Sequence, residues 1–168
     1  RLDILVSRDG RDVGIVEDGE LLTLRESRSS YASDTLSELG ALDAPPVPLA
    51  NWPGARCSGE FCVASIEREG RTYDLLLARG RDYVTERDLA AACARVDIVV
   101  ADRWLPWSCQ PRWLKADRRM LSETGGLAIR LDQRSIQTVA QGQGAHGWWH
   151  GAGGVSREGE APPRAGNQ

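Results

Sequence analysis

Apolar positions open the chain in short runs, "LDILVS", "DVGIVEDG" and "ELLTLRE", which alternate or run unbroken between glycine and aspartate turns. A two-residue period bounded by turn residues predicts a β-meander. In "SDTLSELGAL", Leu36, Leu39 and Leu42 fall near helical spacing behind Ser33 or Asp34 as a cap, which predicts a short helix. The next stretch, "DAPPVPLANWPGARC", has no periodicity and reads as a proline-rich loop. The clearest local signal follows. "CVASIEREGRTYDLLLARG" is two β-runs joined by Glu69-Gly70, a predicted hairpin.

"TERDLAAACARV" predicts a helix, with Thr85 as N-cap and Asp88 three residues on, a capping box with the shorter acid. Leu89, Cys93 and Val96 share one face of it, so Cys93 is expected to pack against a sheet. "VDIVVA" reads as a buried strand that ends in a Trp/Pro loop, "DRWLPWSC". "DRRMLSETGG" makes a short helix that its glycines end, and "GLAIRL" and "SIQTVA" form a final hairpin. No internal repeat is seen. This order predicts an α/β fold in which short helices cover a mixed sheet, with a globular domain at 1–141. A Gly/Pro-rich tail at 142–168 buries too little apolar surface to order itself.

Composition narrows this little. The 168 residues are 41% hydrophobic and 27% charged, long enough for one real core. No apolar run approaches the roughly 20 residues of a membrane-spanning helix. The chain opens on "RLDILV" with neither methionine nor a signal-peptide pattern, and is expected to be a piece of something longer. A net charge of −3 argues against nucleic-acid binding over the whole surface. The charge is uneven, however: residues 1–50 carry ten acids and five bases, and residues 101–150 seven bases and four acids. An anionic partner is expected at the later part.

Candidate chemistry is sparse. The only histidines, His146 and His150, sit together in "AHGWWHG" and cannot alone supply the converging ligands of a hydrolytic metal site, nor activate a serine in the body of the domain. No glycine loop opens a helix to cradle phosphate. Asp82, Glu86, Asp88, Asp97 and Asp102 include conceivable pairs, each also explained as a cap, a strand-edge charge or a solvated face. The four cysteines, Cys57, Cys62, Cys93 and Cys109, fit disulfides, buried thiols or, least well, a metal knuckle. In "CQPRWLKADRR", Arg112, Lys115, Arg118 and Arg119 could form a basic stripe with Trp113 to stack on a base; a solvated helix face with the tryptophan turned inward explains the same spacing.

Five segments together carry a resemblance: "LDILVSRDGRDVGI", "PLANWPGARCSGEFCVASI", "LAAACARVDIVVADRWLP", "CQPRWLKADR" and "TGGLAIRL". They resemble the C-terminal domain of ComEC-type competence proteins, the inner-membrane DNA-uptake channel family, in the divergent form found in alphaproteobacteria. They span most of residues 1–140 in order, although no single motif is decisive.

The resemblance implies a metallo-β-lactamase-like sandwich, partial in this chain. The hairpin's end should then carry an aspartate ligand and the "DIVVA" strand a histidine ligand. The chain has Ala78-Arg79-Gly80 and Ala101-Asp102-Arg103 there instead, so Gly80 and Asp102 stand at degenerate ligand positions. The implied protein is a non-catalytic soluble domain, without cofactor, beside the membrane channel part of the same parent on the periplasmic side of the inner membrane. Single-stranded DNA is its expected partner. Asp102 and Arg103 would hold the loop in place of a metal, and Cys57 would pair with Cys62 and Cys93 with Cys109. The alternatives are a metal-dependent phosphodiesterase or nuclease completed by upstream residues, and a plain single-strand-binding module.

Overall fold

A computed structural model of the chain describes residues 2–26 and 45–138. Its strands are β1 (Ile4–Val6), β2 (Val13–Glu17), β3 (Glu20–Thr23), β4 (Val47–Pro48), β5 (Ala55–Cys57), β6 (Phe61–Arg68), β7 (Arg71–Ala78), β8 (Ile98–Val100), β9 (Leu114–Ala116), β10 (Leu127–Arg130) and β11 (Ser135–Thr138). The two short α-helices among the described residues are α1 (Glu86–Ala94) and α2 (Arg118–Thr124). The fold is mixed α/β.

The strands form two mixed sheets. The first has the order β11-β10-β1-β2-β3-β4, antiparallel except for the β3–β4 pair. The second runs β5-β6-β7-β8-β9, with β7, β8 and β9 mutually parallel. Alternation decides which side chains meet. Ile4, Val6, Val13, Ile15, Leu127 and Ile129 of the first sheet share one buried core with Ile66, Leu75, Leu77, Ile98, Val100 and Leu114 of the second. The intervening residues Leu76 and Val99 point the other way, onto Leu89, Cys93 and Val96 of the α1 segment. That contact explains why "LLLA" and "IVV" are unbroken: their strands are covered on both faces.

Local chemistry sets the connections. Glu69 and Gly70 both take positive φ, 52° and 78°, the two-residue turn that matches strand twist in the β6–β7 hairpin. The Thr85 side chain accepts from the Asp88 backbone N–H and starts α1 as expected, and the Asp117 side chain accepts from the Met120 N–H and starts α2. The sheets are also tied by polar groups. Arg68 of β6 donates to the Asp3 carboxylate at 2.7 Å, to Glu17 at 2.8 Å and to the Val16 carbonyl at 2.7 Å, and Tyr73 donates its hydroxyl to the Leu131 carbonyl.

Two sequence expectations need correction. The stretch taken as an aperiodic loop up to Cys57 contains β4, a 3-10 turn at Leu49–Asn51, and β5. These strands are two and three residues long, too short to show a period, and form because long neighbours pair with them. "RWLKAD", read as a helix face or basic stripe, holds β9 instead, because it lies parallel to β8 and buries Leu114 and Ala116. The helix expected at 33–42 and the tail at 142–168 lie outside the described residues.

Candidate functional site at the ends of β7 and β8

The parallel strands β7 and β8 end side by side, and the β1–β2 turn folds over them. Gly10 in that turn has φ +75°, and a Cβ there would stand 2.7 Å from the Ala101 carbonyl oxygen, so only glycine permits this approach. The approach brings Arg11 to the residue after Ala101. Asp102, with its side chain only 6% exposed, receives Arg11 Nη1 at 3.0 Å on Oδ2 and the Arg103 Nε and Nη2 groups at 3.2 and 3.0 Å on Oδ1. Arg25, from just beyond β3, places Nη2 at 3.6 Å from Oδ2.

The arginines are themselves held by backbone. Arg25 donates to the carbonyls of Arg11, Ala78 and Arg79, and Arg103 donates to the Gly80 carbonyl. Three guanidiniums therefore link the β1–β2 turn, the end of β3, the end of β7 and the end of β8 through one carboxylate. Burial works against ionisation of Asp102, but the hydrogen bonds and charge of Arg103, with the charge of Arg25, outweigh it and hold its pKa below the ordinary aspartate range. Nearby, burial and the Asp9 charge push Asp12 up, against the pull of Arg25 and Arg11. Burial, followed by the charge of Arg11, lowers Arg25.

This donor set does not fit a divalent metal. Asp102 faces guanidiniums where imidazoles or further carboxylates would be needed, and a cation would meet repulsion from all three. Gly80, the other position that the sequence resemblance singled out, contributes only backbone: its N–H donates to the Glu60 carbonyl, and it packs against Gly59 too closely to admit a side chain. Among the described residues no three His, Cys, Asp or Glu side chains gather as a metal would require. His146 and His150 lie outside the described residues.

The next loop is the Trp/Pro loop that the sequence points to, but there its tryptophans are given no role. Trp104 and Trp107 are exposed, at 58% and 84%, and so is Tyr83, at 84%, on the segment before α1. Phe61, Tyr83, Trp104, Leu105 and Pro106 line a cleft of about 250 Å³ with Arg81, Asp82 and Arg103 also on its walls. The loop is well anchored. Leu105 N–H donates to Asp117 Oδ2 at 3.1 Å, Lys115 Nζ to the Pro106 carbonyl at 2.8 Å, Ser108 Oγ to Glu86 at 2.7 Å, and Gln110 to the Trp107 carbonyl at 2.8 Å. The signal was legible as "RWLPW", two tryptophans around a proline just past a buried strand, where binding groups concentrate.

The five residues proposed for nucleic-acid contact do not form one free stripe. Arg112 is paired with Asp97 at 3.1 Å and Asp74 at 3.4 Å; burial of Asp97 is outweighed by the Arg112 hydrogen bonds and the Asp74 N–H, which lower its pKa. Trp113 is half-buried against the core under Arg134, 4.5 Å from ring centroid to guanidinium carbon. Lys115 is committed to Pro106. Arg118 and Arg119 are exposed on α2, and the Arg119 guanidinium lies 4.8 Å from the Trp104 ring centroid.

All four cysteines are in disulfides. Cys57 and Cys62 face one another across the β5–β6 pair, and Cys93 of α1 is bonded to Cys109 in the loop after β8. Two disulfides fit an oxidising compartment, extracellular or periplasmic. No helix among the described residues is long and apolar enough to cross a membrane. Comparison of the chain with protein-family models, curated proteins and solved structures finds no match.

Proposed function

We propose that this chain is a non-catalytic, metallo-β-lactamase-like domain of a ComEC-type DNA-uptake protein. It stands on the periplasmic side of the inner membrane, beside the channel part of the same protein. There it meets single-stranded DNA without cutting it, through the exposed arginines Arg118 and Arg119 of α2. The observation that carries this reading is the Asp102 cluster. At the strand ends where the resemblance calls for ligands, the carboxylate is neutralised by Arg11, Arg25 and Arg103 and ties the loops together instead. The two disulfides support the compartment.

Two measurements on the same preparation test it. The purified chain is equilibrated with zinc and manganese, dialysed and assayed for bound metal, and single-stranded DNA is incubated with it under both metals. The expected result is no retained metal and no cleavage above buffer. Stoichiometric metal, or cleavage abolished by Asp102→Ala, would overturn the reading in favour of a metal-dependent phosphodiesterase.

A further inference from the structure

Exposed tryptophans on a slack loop have little meaning, but this loop is fixed. The Cys93–Cys109 disulfide ties its far end to α1, and four side-chain hydrogen bonds anchor its middle. Asp117 has a double part. Its Oδ1 caps α2, which carries Arg119, and its Oδ2 holds the Leu105 N–H beside Trp104. One buried carboxylate thus sets Arg119 against the Trp104 ring. Keeping large apolar rings in water while restraining their backbone forgoes the burial that such side chains favour. A ligand that covers them explains the arrangement.

The cleft's chemistry narrows what that ligand is. Its walls offer aromatic faces from Tyr83 and Trp104, and cations stand at Arg81 on the lining and at Arg119 against the Trp104 ring. Arg103 is already matched by Asp102. On the same rim, Asp82 offers carboxylate acceptors to an amino edge. A flat ring bearing amino groups and linked to an anion satisfies all three. The recess of about 250 Å³ is concave and small, which suits one ring better than the broad contact of a lipid surface.

We infer that the cleft between Tyr83 and Trp104 is a single-base subsite for single-stranded nucleic acid. One face of the Trp104 indole carries the Arg119 guanidinium, and the base stacks on the other. The adjoining phosphates meet Arg81 and Arg119, and Asp117 is the positioning residue that assembles the platform. This inference rests on the proposal that single-stranded DNA is the domain's partner.

The test is a binding titration of the full chain with a labelled single strand of about 12 nucleotides, long enough for one site of this kind, in about 50 mM salt. Base–aromatic stacking is worth about 1–3 kcal/mol. Trp104→Ala and Tyr83→Ala should therefore each weaken binding about tenfold. Because both rings are exposed, their melting temperatures should stay within about 2 °C of the parent's. Asp117→Asn should weaken binding and red-shift tryptophan emission. Firm binding that Trp104→Ala and Tyr83→Ala leave unchanged would overturn the subsite while sparing the DNA reading. No binding by the parent chain would overturn both. Association with anionic phosphatidylglycerol vesicles in place of DNA, lost in Trp104→Ala, would identify a lipid surface and overturn the subsite.

Discussion

Replacing Asp102 by alanine tests the central claim that this residue holds the strand ends together. The carboxylate is 6% exposed, and the side chains of Arg25, Arg103 and Arg11 are 14%, 34% and 37% exposed. Removing one partner of a fully buried pair costs about 3–5 kcal/mol, because the other charge is left uncompensated. Arg11 and Arg103 reach water, which screens part of that loss, so the expected cost is about 2–3 kcal/mol. For a domain of this size that lowers the melting temperature by about 6–12 °C.

The pH dependence has a definite sign. The folded-state pKa of Asp102 is lowered from 3.8, so the group's contribution is complete above that value and is lost as pH falls through the lower folded-state pKa. Asp102→Asn keeps the shape but not the charge. Thermal melts of the parent and Asp102→Asn should therefore be well separated near neutrality and draw together as the pH is taken down through 3.8. A gap independent of pH, or an Asp102→Ala protein melting within about 2 °C of the parent, would refute the argument.

Three further expectations follow from packing and topology. The Cys93–Cys109 bridge spans 16 residues and Cys57–Cys62 spans 5, so chain entropy assigns them about 3 and about 2 kcal/mol. In calorimetry, Cys93→Ala/Cys109→Ala should melt below Cys57→Ala/Cys62→Ala, and the reverse order would contradict the loop-length argument. Arg68→Ala leaves the Asp3 carboxylate, which is 1% exposed, with only the Leu131 N–H among its described partners, and should cost about 3 kcal/mol in urea unfolding at unchanged m. Gly10→Ala should cost about 2–3 kcal/mol, because it combines positive φ with a backbone clash at Ala101. Gly19→Ala, with φ +78° and open space, should cost only about 1 kcal/mol; equal costs would mean that the turn does not press on β8.

How much of this the chain announced depends on the length of each element. The β6–β7 hairpin, eight residues a side, and α1 with its Thr85 cap were legible because period, turn and cap agree. β4, β5 and β9 were not, since strands of two or three residues exist only through their partners. The Asp102–Arg103 contact was expected, but Arg11 and Arg25 were not, because 91 residues separate Arg11 from Asp102 and nothing local signals their meeting. Spacing also misled at Arg112 and Lys115, where it allowed free side chains that Asp97 and Pro106 use; Trp113 packs against the core under Arg134, as the inward alternative expected, but from a segment that runs into a strand and not from a helix face.

The Asp102 cluster and the tryptophan loop are consecutive in the chain, and that adjacency bears on why the cluster exists. Buried ion pairs are replaced by apolar residues at little or no cost in stability, so stability alone does not call for three arginines around one aspartate. Directional bonds to the carbonyls of Arg11, Ala78, Arg79 and Gly80 do something that apolar packing cannot. Arg103 bonds the chain that leaves β8 to Gly80 beyond the end of β7, and Arg25, paired with Asp102, bonds to Arg11, Ala78 and Arg79, so this exit is held against both neighbours. Trp104 follows Arg103 immediately, and the α2 backbone is bonded to the same residue through Arg118 N–H and the Arg103 carbonyl. A residue change in the cluster is therefore felt first as a rotation of the aromatic platform. On this reasoning Arg25→Met, which preserves bulk near the core, should cost DNA affinity out of proportion to stability. A loss of melting temperature with affinity unchanged would separate the cluster from the platform.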